Sequence, residues 1–460
     1  MTHTHFIGIG GTGLSAIARV LLERGQKVSG SDQKDSPLAE SLRQAGAHVY
    51  IGHNAGNIHG ADLVVRSSAV RMDNIEVLAA QEAGLQVLER IDYLPQLLHD
   101  QKTIAVAGSH GKTTTTAMIA WMLSRLDRRP GYIVGGEIQN LASNARAGSG
   151  DIFVIEADEY GYMFWGLTPA IAVITNIEHD HPDLFPSMQD FMLAFQGFVD
   201  RILPDGILVA YQDDPGSQQI IEYARQKGIQ VLTYSAQDPR ADYSVGLAEP
   251  VAGRGYHFSA QRGSTPLAAL TLQVPGKHNM ANALAALAAA DLLGQDLEAA
   301  AAALAEFRGT GRRFELLGEA QGITIIDDYG HHPTEIAATL SAARETYPGR
   351  SIWAVWQPHT YSRTLELLSA YQAAFENADQ VLITPVFAAR ESAPQGFSLQ
   401  QAADNFKHAS VTLADGLEPA AAHLSARVHT GDVVIVFSAG DATQISAALY
   451  AELSSRQVVE

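Results

Sequence analysis

The sequence predicts an α/β protein made of three consecutive parallel-sheet units. Three observations predict it. A short apolar run, Thr103 to Val106, passes through Gly108-Ser109-His110-Gly111 into a helix-like run, Ala117 to Leu126. An earlier strand, Thr4 to Ile9, runs into Gly8-Ile9-Gly10-Gly11-Thr12-Gly13 and a helix through Glu23. From Ile323 onward, four apolar strands each end in a polar loop, with helices between them. No internal repeat accompanies the recurrence.

The chain has 460 residues, room for about three domains. Its composition, 46% hydrophobic and 18% charged, suits packed cores. A net charge of −19 argues against a nucleic-acid or anionic-membrane partner, since both need basic patches. With no cysteine there is no disulfide, thiolate metal site or cysteine nucleophile. The N-terminus lacks a basic segment followed by an apolar one, and no run approaches the ~18–20 apolar residues of a membrane span. The expectation is a soluble cytoplasmic enzyme.

The first unit, residues 1–97, continues with a strand from Lys27 to Ser31 that ends at Asp32. Taken alone, G-x-G-x-x-G with a following acid suits NAD or FAD. More generally it reports a phosphate close to the turn. Strand-like runs at Asp62–Val65 and Gln86–Leu88 extend the rhythm.

The second unit, residues 98–309, opens on the glycine turn of Gly108 to Lys112. The standard G-x-x-x-x-G-K-[ST] pattern would place glycine where Val106 stands. Here the glycine is Gly108, giving G-x-x-G-K-T. Backbone N–H groups of such a turn cradle phosphates. Lys112 would reach the β- and γ-phosphates, and Thr113 would sit on Mg²⁺. Ile152–Ile155 leads into Glu156-Ala157-Asp158-Glu159, and Ile171–Ile174 into Thr175 through His181. Ligands of open parallel sheets collect at such strand ends. Thr113 and Glu156 fit the hydroxyl-plus-carboxylate set of Mg²⁺, and His181 fits a second divalent ion or a phosphate. For Glu159 and Glu178 a solvated acidic rim is the lesser alternative. Residues 241–274 read as a small β insertion, and the alanine-rich stretch 281–305 as two packed helices.

The third unit, residues 310–460, has strands at Ile323–Ile326, Ile352–Trp356, Val381–Ile383 and Val433–Phe437. Their loops carry Asp327-Asp328-Tyr329-Gly330-His331-His332-Pro333, Gln357-Pro358-His359-Thr360-Tyr361-Ser362-Arg363, Arg390-Glu391 and Asp441. Adjacent loop histidines do not share a face, so His331-His332 is a poor zinc pair. Arg312-Arg313 could meet a polyphosphate or simply be solvated. No G-x-S-x-G elbow is present. The reaction that fits is ATP-driven activation of an anionic substrate.

Taken in order, these motifs resemble the Mur ligases of peptidoglycan synthesis, in particular their alanine-adding branch. The resemblance runs essentially end to end. It rests on Gly8–Ser15, Ser67-Ser68-Ala69-Val70, Gly108–Thr114, Glu156–Glu159, Thr175–Glu178 with Asp180-His181, His278-Asn279 with Asn282, Arg312-Arg313-Phe314, Asp327–Pro333 and Gln357-Pro358-His359. It implies an N-terminal Rossmann-like domain, a central P-loop ATPase-type domain and a C-terminal Rossmann-like domain. The implied activity is an ATP-dependent acid–amino-acid ligase of cell-wall biogenesis. ATP would phosphorylate the lactyl carboxylate of UDP-N-acetylmuramate, and L-alanine would then attack the acyl phosphate. Magnesium is the implied ion, at two sites, with manganese as a substitute. A monomer or homodimer is implied.

Carried onto this chain, Gly108, Ser109, His110, Gly111, Lys112, Thr113, Thr114, His278, Asn282, Arg313 and Asp328 would bind ATP. Thr113, Glu156 and His181 would serve the metal. Gly10, Gly11, Thr12, Gly13, Ser15, Asp32, Ser67, Ser68, Arg90, Asn140 and Asn144 would bind the UDP-sugar. Tyr329, His331, His359 and Arg363 would line the amino-acid pocket, and the catalytic set would be Lys112, Glu156, His181, Arg313, His331 and Arg363.

Three departures from the resemblance stand out. Thr360 replaces an arginine usual after Gln-Pro-His. Tyr160-Gly161 follow Glu159 where Ser-Asp is usual. No lysine occurs between Lys112 and Lys227, so no carbamylated lysine is expected there. Two alternatives remain open: a ligase that attaches a preformed tripeptide to the same sugar nucleotide, and an NAD-dependent oxidoreductase.

Overall fold

A computed structural model describes residues 2–404 and 406–456. Three sheets follow one another along the chain. The first has five parallel strands, β1 (His3–Ile7), β2 (Lys27–Asp32), β3 (His48–Ile51), β4 (Leu63–Arg66) and β5 (Gln86–Glu89), in the order β3-β2-β1-β4-β5. The order reverses beside β1, and the glycine turn leaves β1 at that point. It enters the helix Thr12–Glu23, which buries Leu14, Ile17, Val20 and Leu21.

The second sheet has ten strands: β6 (Lys102–Ala107), β7 (Gly131–Ile138), β8 (Ser143–Arg146), β9 (Ile152–Glu156), β10 (Ile171–Ile174), β11 (Ile207–Tyr211), β12 (Gln230–Ser235), β13 (Tyr243–Pro250), β14 (Tyr256–Arg262) and β15 (Thr265–Thr271). Their order is β15-β14-β13-β12-β11-β10-β6-β9-β7-β8. Residues 241–274 are β as expected, and they join the central sheet. Tyr234 and Ser235 pair in parallel with Tyr243 and Ser244, so β13 to β15 extend the central sheet as an antiparallel edge. The strands β6, β9 and β10 are buried on both faces, as their continuous apolar runs require. One face packs on the helices Lys112–Arg125 and His278–Leu292 through Met118, Met122, Leu284 and Leu287. On the other face, Phe153, Phe164 and Phe195 join Ile17, Leu21, Tyr93 and Leu94 of the first unit in one continuous core.

The third sheet is β16 (Glu315–Ala320), β17 (Ile323–Asp328), β18 (Ile352–Trp356), β19 (Gln380–Ile383), β20 (Val411–Leu413) and β21 (Val433–Phe437), ordered β16-β17-β21-β18-β19-β20. All its pairs are parallel except β16 with β17. Among the described residues no helix is long and apolar enough to cross a membrane.

One polar knot stands inside the first unit. Glu76, fully buried in the first turn of the helix Ile75–Glu82, accepts from Ser31 Oγ (2.5 Å), Asn57 Nδ2 (2.5 Å) and Asn54 N–H (3.1 Å), with His5 Nε2 at 3.5 Å. Burial pushes its carboxyl up, but the bonds from His5, Ser31, Asn54 and Asn57 outweigh burial and hold it down at about 2. The lowered value means that the contribution, on the order of 3 kcal/mol, is fully present above pH ~4.5 and is lost as pH falls toward 2. Glu76→Gln should lower the midpoint of thermal unfolding at pH 7. It should also flatten the fall in midpoint between about pH 4.5 and 3. A variant curve parallel to wild type would refute the assignment.

Candidate active site

The phosphate loop is held by the neighbouring strand end. Gly108 has φ +136°, and a Cβ there would lie 2.0 Å from Thr175 Oγ1. Ser109 N–H donates to Asn176 O (2.8 Å), His110 N–H to Asn176 Oδ1 (2.8 Å), and Thr175 Oγ1 to His110 O (2.6 Å). The short spacing follows from this close approach to β10, while Val106 stays inside β6. The helix begins at Lys112, not near Ala117, because Gly111 at φ +81° turns the chain directly into it. The threonines of its first two turns are largely buried.

Lys112 Nζ donates to Gly108 O (2.5 Å), Ser109 O (3.2 Å) and Glu159 Oε1 (3.0 Å). Burial alone would lower it, but Glu159, Asp158 and Glu156 outweigh burial and hold it protonated. Glu159 is 1% exposed, so it is a buried counter-ion and not part of a solvated rim. Glu178, half exposed, accepts from Thr334 Oγ1 (2.9 Å) of the third unit.

Thr113 Oγ1 donates to Glu156 Oε1 (2.9 Å), whose second oxygen accepts from Gly135 N–H (2.6 Å). A hydroxyl and a carboxylate converging at a triphosphate loop are a hard-oxygen donor set that fits magnesium. His181, at φ +55°, places Nε2 3.7 Å from Glu159 Oε1 and accepts at Nδ1 from Arg363 Nη2 (3.3 Å). It therefore joins the loop to the third unit. Ligand atoms of His110, Glu178 and His332 also lie within 4.8 Å of one another. Burial would lower the His110 ring, but Glu178 and Glu335 on its two nitrogens push it up to about 9. His332 joins this cluster rather than pairing with His331.

Two clefts flank the loop. The first lies between the middle and third units. Its lining includes His110, Gly111, Thr113, Thr114, His278, Asn282, Arg313 and Asp328, together with Asn176, Asn279, Thr334 and Glu335. Burial and the Arg313 charge push His278 down to about 4. Asp328 is buried, and its carboxylate accepts from Phe314 N–H (2.8 Å) and Gly330 N–H (2.6 Å). It thus shapes the loop as well as facing the cavity.

The second cleft lies between the first and middle units and is lined by Thr12, Gly13, Arg90, Gly135, Glu156 and Asp158, among others. A Cβ on Gly13 would sit 1.9 Å from Arg90 Nη1, and Arg90 Nη2 reaches Asp158 Oδ2 at 3.5 Å. Gly10 N–H donates to Asp32 Oδ2 (2.9 Å), and Gly11 precedes the helix. Ser67 packs against Gly8, while Ser68 is exposed. Ser15 is buried and its hydroxyl donates back to Thr12 O (3.1 Å), so it braces the turn. Asn144 lies on β8, beside the helix Thr12–Glu23.

Asn140 does not join this cleft, contrary to the expectation for the UDP-sugar end. Its amide donates to Glu306 O (2.8 Å) and accepts from Arg308 N–H (2.8 Å). It holds the linker into the third unit instead. No local signal marks this, because the partners lie 166 and 168 residues away.

The expected amino-acid residues do converge. Arg363, 4% exposed, donates through Nε (3.0 Å) and Nη2 (2.8 Å) to Asp180 Oδ1, and through Nη1 to His359 Nδ1 (3.0 Å). His331 Nε2 stands 3.9 Å from Asp180 Oδ2, and its ring lies 5.8 Å from that of His359 and 5.5 Å from that of Tyr329. Burial, with Arg363, pushes His331 down to about 3 and His359 to about 4. Both imidazoles are neutral near pH 7. Thr360, at φ +62°, receives Arg363 N–H on its side chain (3.4 Å) and so caps the helix that carries Arg363.

A phosphate loop between a glycine-rich cleft and a cavity closed by a third α/β unit defines a three-domain P-loop protein. Models described as the Mur ligase family catalytic domain, the Mur ligase middle domain and the Mur ligase glutamate ligase domain match residues 3–102, 106–290 and 312–440. A UDP-N-acetylmuramate–L-alanine ligase of Thermobifida fusca is 42% identical, over 96% of this chain and 94% of its own. The crystal structure of a UDP-N-acetylmuramate–alanine ligase from Thermotoga maritima is similar at TM-score 0.83 and 28% identity, covering 99% of this chain and 100% of that one. A murein peptide ligase from Psychrobacter arcticus follows at TM-score 0.72 and 27% identity, covering 99% of both chains. The chain belongs to the Mur ligase family.

Lys112→Ala should abolish phosphate release from ATP while leaving binding in the first-unit cleft largely intact, because Lys112 stands outside that cleft. Calorimetric titration of a UDP-sugar, beside a phosphate-release assay, checks both halves. Unchanged turnover would sink the phosphate-loop assignment.

Proposed function

We propose that this chain is a cytoplasmic UDP-N-acetylmuramate–L-alanine ligase that consumes ATP. The observation that carries the reading is the Thr113–Glu156 hydrogen bond. Thr113 lines the cavity under the third unit and Glu156 lines the cleft of the first. A γ-phosphate held in one would face a carboxylate delivered through the other. The match to the Thermobifida relative, over 96% of this chain and 94% of that one, supports the same assignment. We divide the chain at residues 1–97 for the UDP-sugar, 98–309 for ATP, and 310–460 for closure over ATP and the amino acid.

In this reading the backbone N–H groups of Gly108–Thr114 and the Lys112 cation hold the triphosphate. His278 and Asn282 face the adenine, and Arg313 and Asp328 meet ATP from the third domain. Gly10–Gly13, Ser15, Asp32, Ser67, Ser68 and Arg90 hold or brace the UDP end, with Asn144 toward the sugar. Thr113, Glu156 and His181 would hold magnesium, which lowers the charge repulsion between the substrate carboxylate and the γ-phosphate. The lactyl carboxylate oxygen bonds to the γ-phosphorus as the bond to ADP breaks. The free amine of L-alanine then attacks the acyl carbon, and the tetrahedral adduct collapses to amide and phosphate. A carboxylate is a poor acyl donor until its oxygen becomes part of a phosphate leaving group. Arg363 supplies the cation for the alanine carboxylate. The neutral rings of His331 and His359 carry no charge to repel the incoming ammonium.

A panel of acceptors tests the reading. With ATP, Mg²⁺ and UDP-N-acetylmuramate, phosphate release should be robust with L-alanine, weaker with glycine or L-serine, and absent with the L-alanyl-γ-D-glutamyl-diaminopimelate tripeptide. EDTA should stop the reaction, and Mg²⁺ or Mn²⁺ should restore it. Turnover with the tripeptide and none with L-alanine would overturn the assignment. Saturable NADH binding without ATP turnover would overturn the class.

A further inference from the structure

The third unit meets the phosphate loop through an acid that no motif singled out. Glu335 lies in the first turn of the helix Pro333–Thr346, and its side chain is 9% exposed. Its two oxygens divide between two tasks. Oε1 accepts from Arg313 Nη1 (3.0 Å) and stands 3.4 Å from Nδ1 of His110, on the phosphate loop of the middle unit. Oε2 accepts from the backbone N–H of His331 (3.1 Å) and His332 (3.4 Å), and closes a capping box with His332. One carboxylate thus touches the arginine that lines the nucleotide cavity, the loop that carries the amine-side His331, and the phosphate loop.

A helix cap needs only the second of these oxygens, and an exposed one would serve. Nothing in capping calls for burying the other oxygen beside a guanidinium and an imidazole from another unit. Burying a carboxylate is costly unless its partners are in place, so the arrangement favours the docked state, in which all of them are present. The middle unit completes the join from its own side. His110 Nε2 meets Glu178 Oε2 (2.9 Å), and Thr334 Oγ1, beside Glu335, donates to Glu178 Oε1 (2.9 Å).

We propose that Glu335 is the positioning residue of the third domain: docked on His110, it aims Arg313 into the nucleotide cavity and fixes the loop that presents His331 to the amine. This rests on the ligase reading above. Glu335 acts through Arg313, His331 and His110.

The charges around His110 give a signature that a plain structural role lacks. Facing its ring are Glu178 from the loop after β10, Glu335 and the His332 ring (4.7 Å) from the third unit, and Asp214 at the start of the helix Pro215–Gln226. Arg313 lies beyond Glu335, and Lys112 two positions along the loop. With an acid on each nitrogen, the ring stays protonated up to about pH 9. Without the charge of Glu335, burial acts against Glu178 and Asp214 alone. The ring then loses its proton at lower pH.

The test is steady-state kinetics of the full chain from pH 6 to 9.5, for wild type, Glu335→Gln and Glu335→Asp. For Glu335→Gln, kcat should fall about ten- to hundredfold, as for misplacement of reacting groups. KM for the UDP-sugar should stay within about twofold, since its cleft is elsewhere, while KM for ATP rises. The alkaline limb of kcat/KM for ATP should move down by about one pH unit. Glu335→Asp should restore the wild-type limb even where it does not restore the rate. Glu335→Gln with an unmoved alkaline limb, at whatever rate, would overturn the proposal and leave Glu335 a helix cap. Should Glu335→Gln fail to fold, His110→Asn carries the test: an alkaline limb that persists unchanged in that variant would also overturn it. Wild-type protein with no ATP-dependent amide formation would instead refute the ligase reading.

Discussion

Everything functional here depends on the parallel alignment of β9, β6 and β10 at the centre of the ten-stranded sheet. Register places Glu156 beside Val106 and Ile174 beside Ala107, so the three strands end level with one another. The phosphate loop, the Glu156–Glu159 turn and the Thr175–His181 loop must then converge at one edge. Parallel strands expose their carboxyl ends together, and the covering helices leave that edge open. The Lys112–Glu159 ion pair and the Thr113–Glu156 bond are consequences of that register.

The first and third units use this edge in different ways. The first shares a continuous apolar core with the middle sheet, from Leu21 and Leu94 to Phe153 and Phe195. The third meets the active edge largely through polar contacts, Arg363 with Asp180, Glu335 with His110, and Thr334 with Glu178. An apolar join tolerates little rearrangement, whereas a join of paired charges can be remade with a charged ligand between the partners. That contrast suits a first unit that stays in place and a third that closes over substrates.

What was legible in the sequence was local. The phosphate loop, the glycine turn and most strands carry their signals within about ten residues, and they stand near where the pattern put them. What was missed depends on residues far away in the chain. That Glu159 is a buried counter-ion and that Glu178 reaches the third unit was not legible, because Lys112 and Thr334 lie 47 and 156 residues away. Glu335 carried no signal of its own, since His110 lies on another unit. Asn140 was placed with the sugar because nothing nearby shows its grip on the linker. That the β insertion at 241–274 extends the central sheet was not legible, because antiparallel pairing says nothing of which sheet it extends.

That grip on the linker decides how the third unit can move. Asn140 holds the backbone at 306 and 308, Gln139 N–H and Gly311 N–H bond Gly309 O and Glu137 O, and Ile138 bridges Thr310. The chain is pinned on both sides of one point, so the third unit cannot slide along the middle sheet. Its remaining freedom is a swing about a fixed pivot, and a swing separates points in proportion to their distance from the axis. Arg313, which lines the nucleotide cavity, follows that pivot by three residues. A swing about the linker would displace it less than groups that lie farther from the axis.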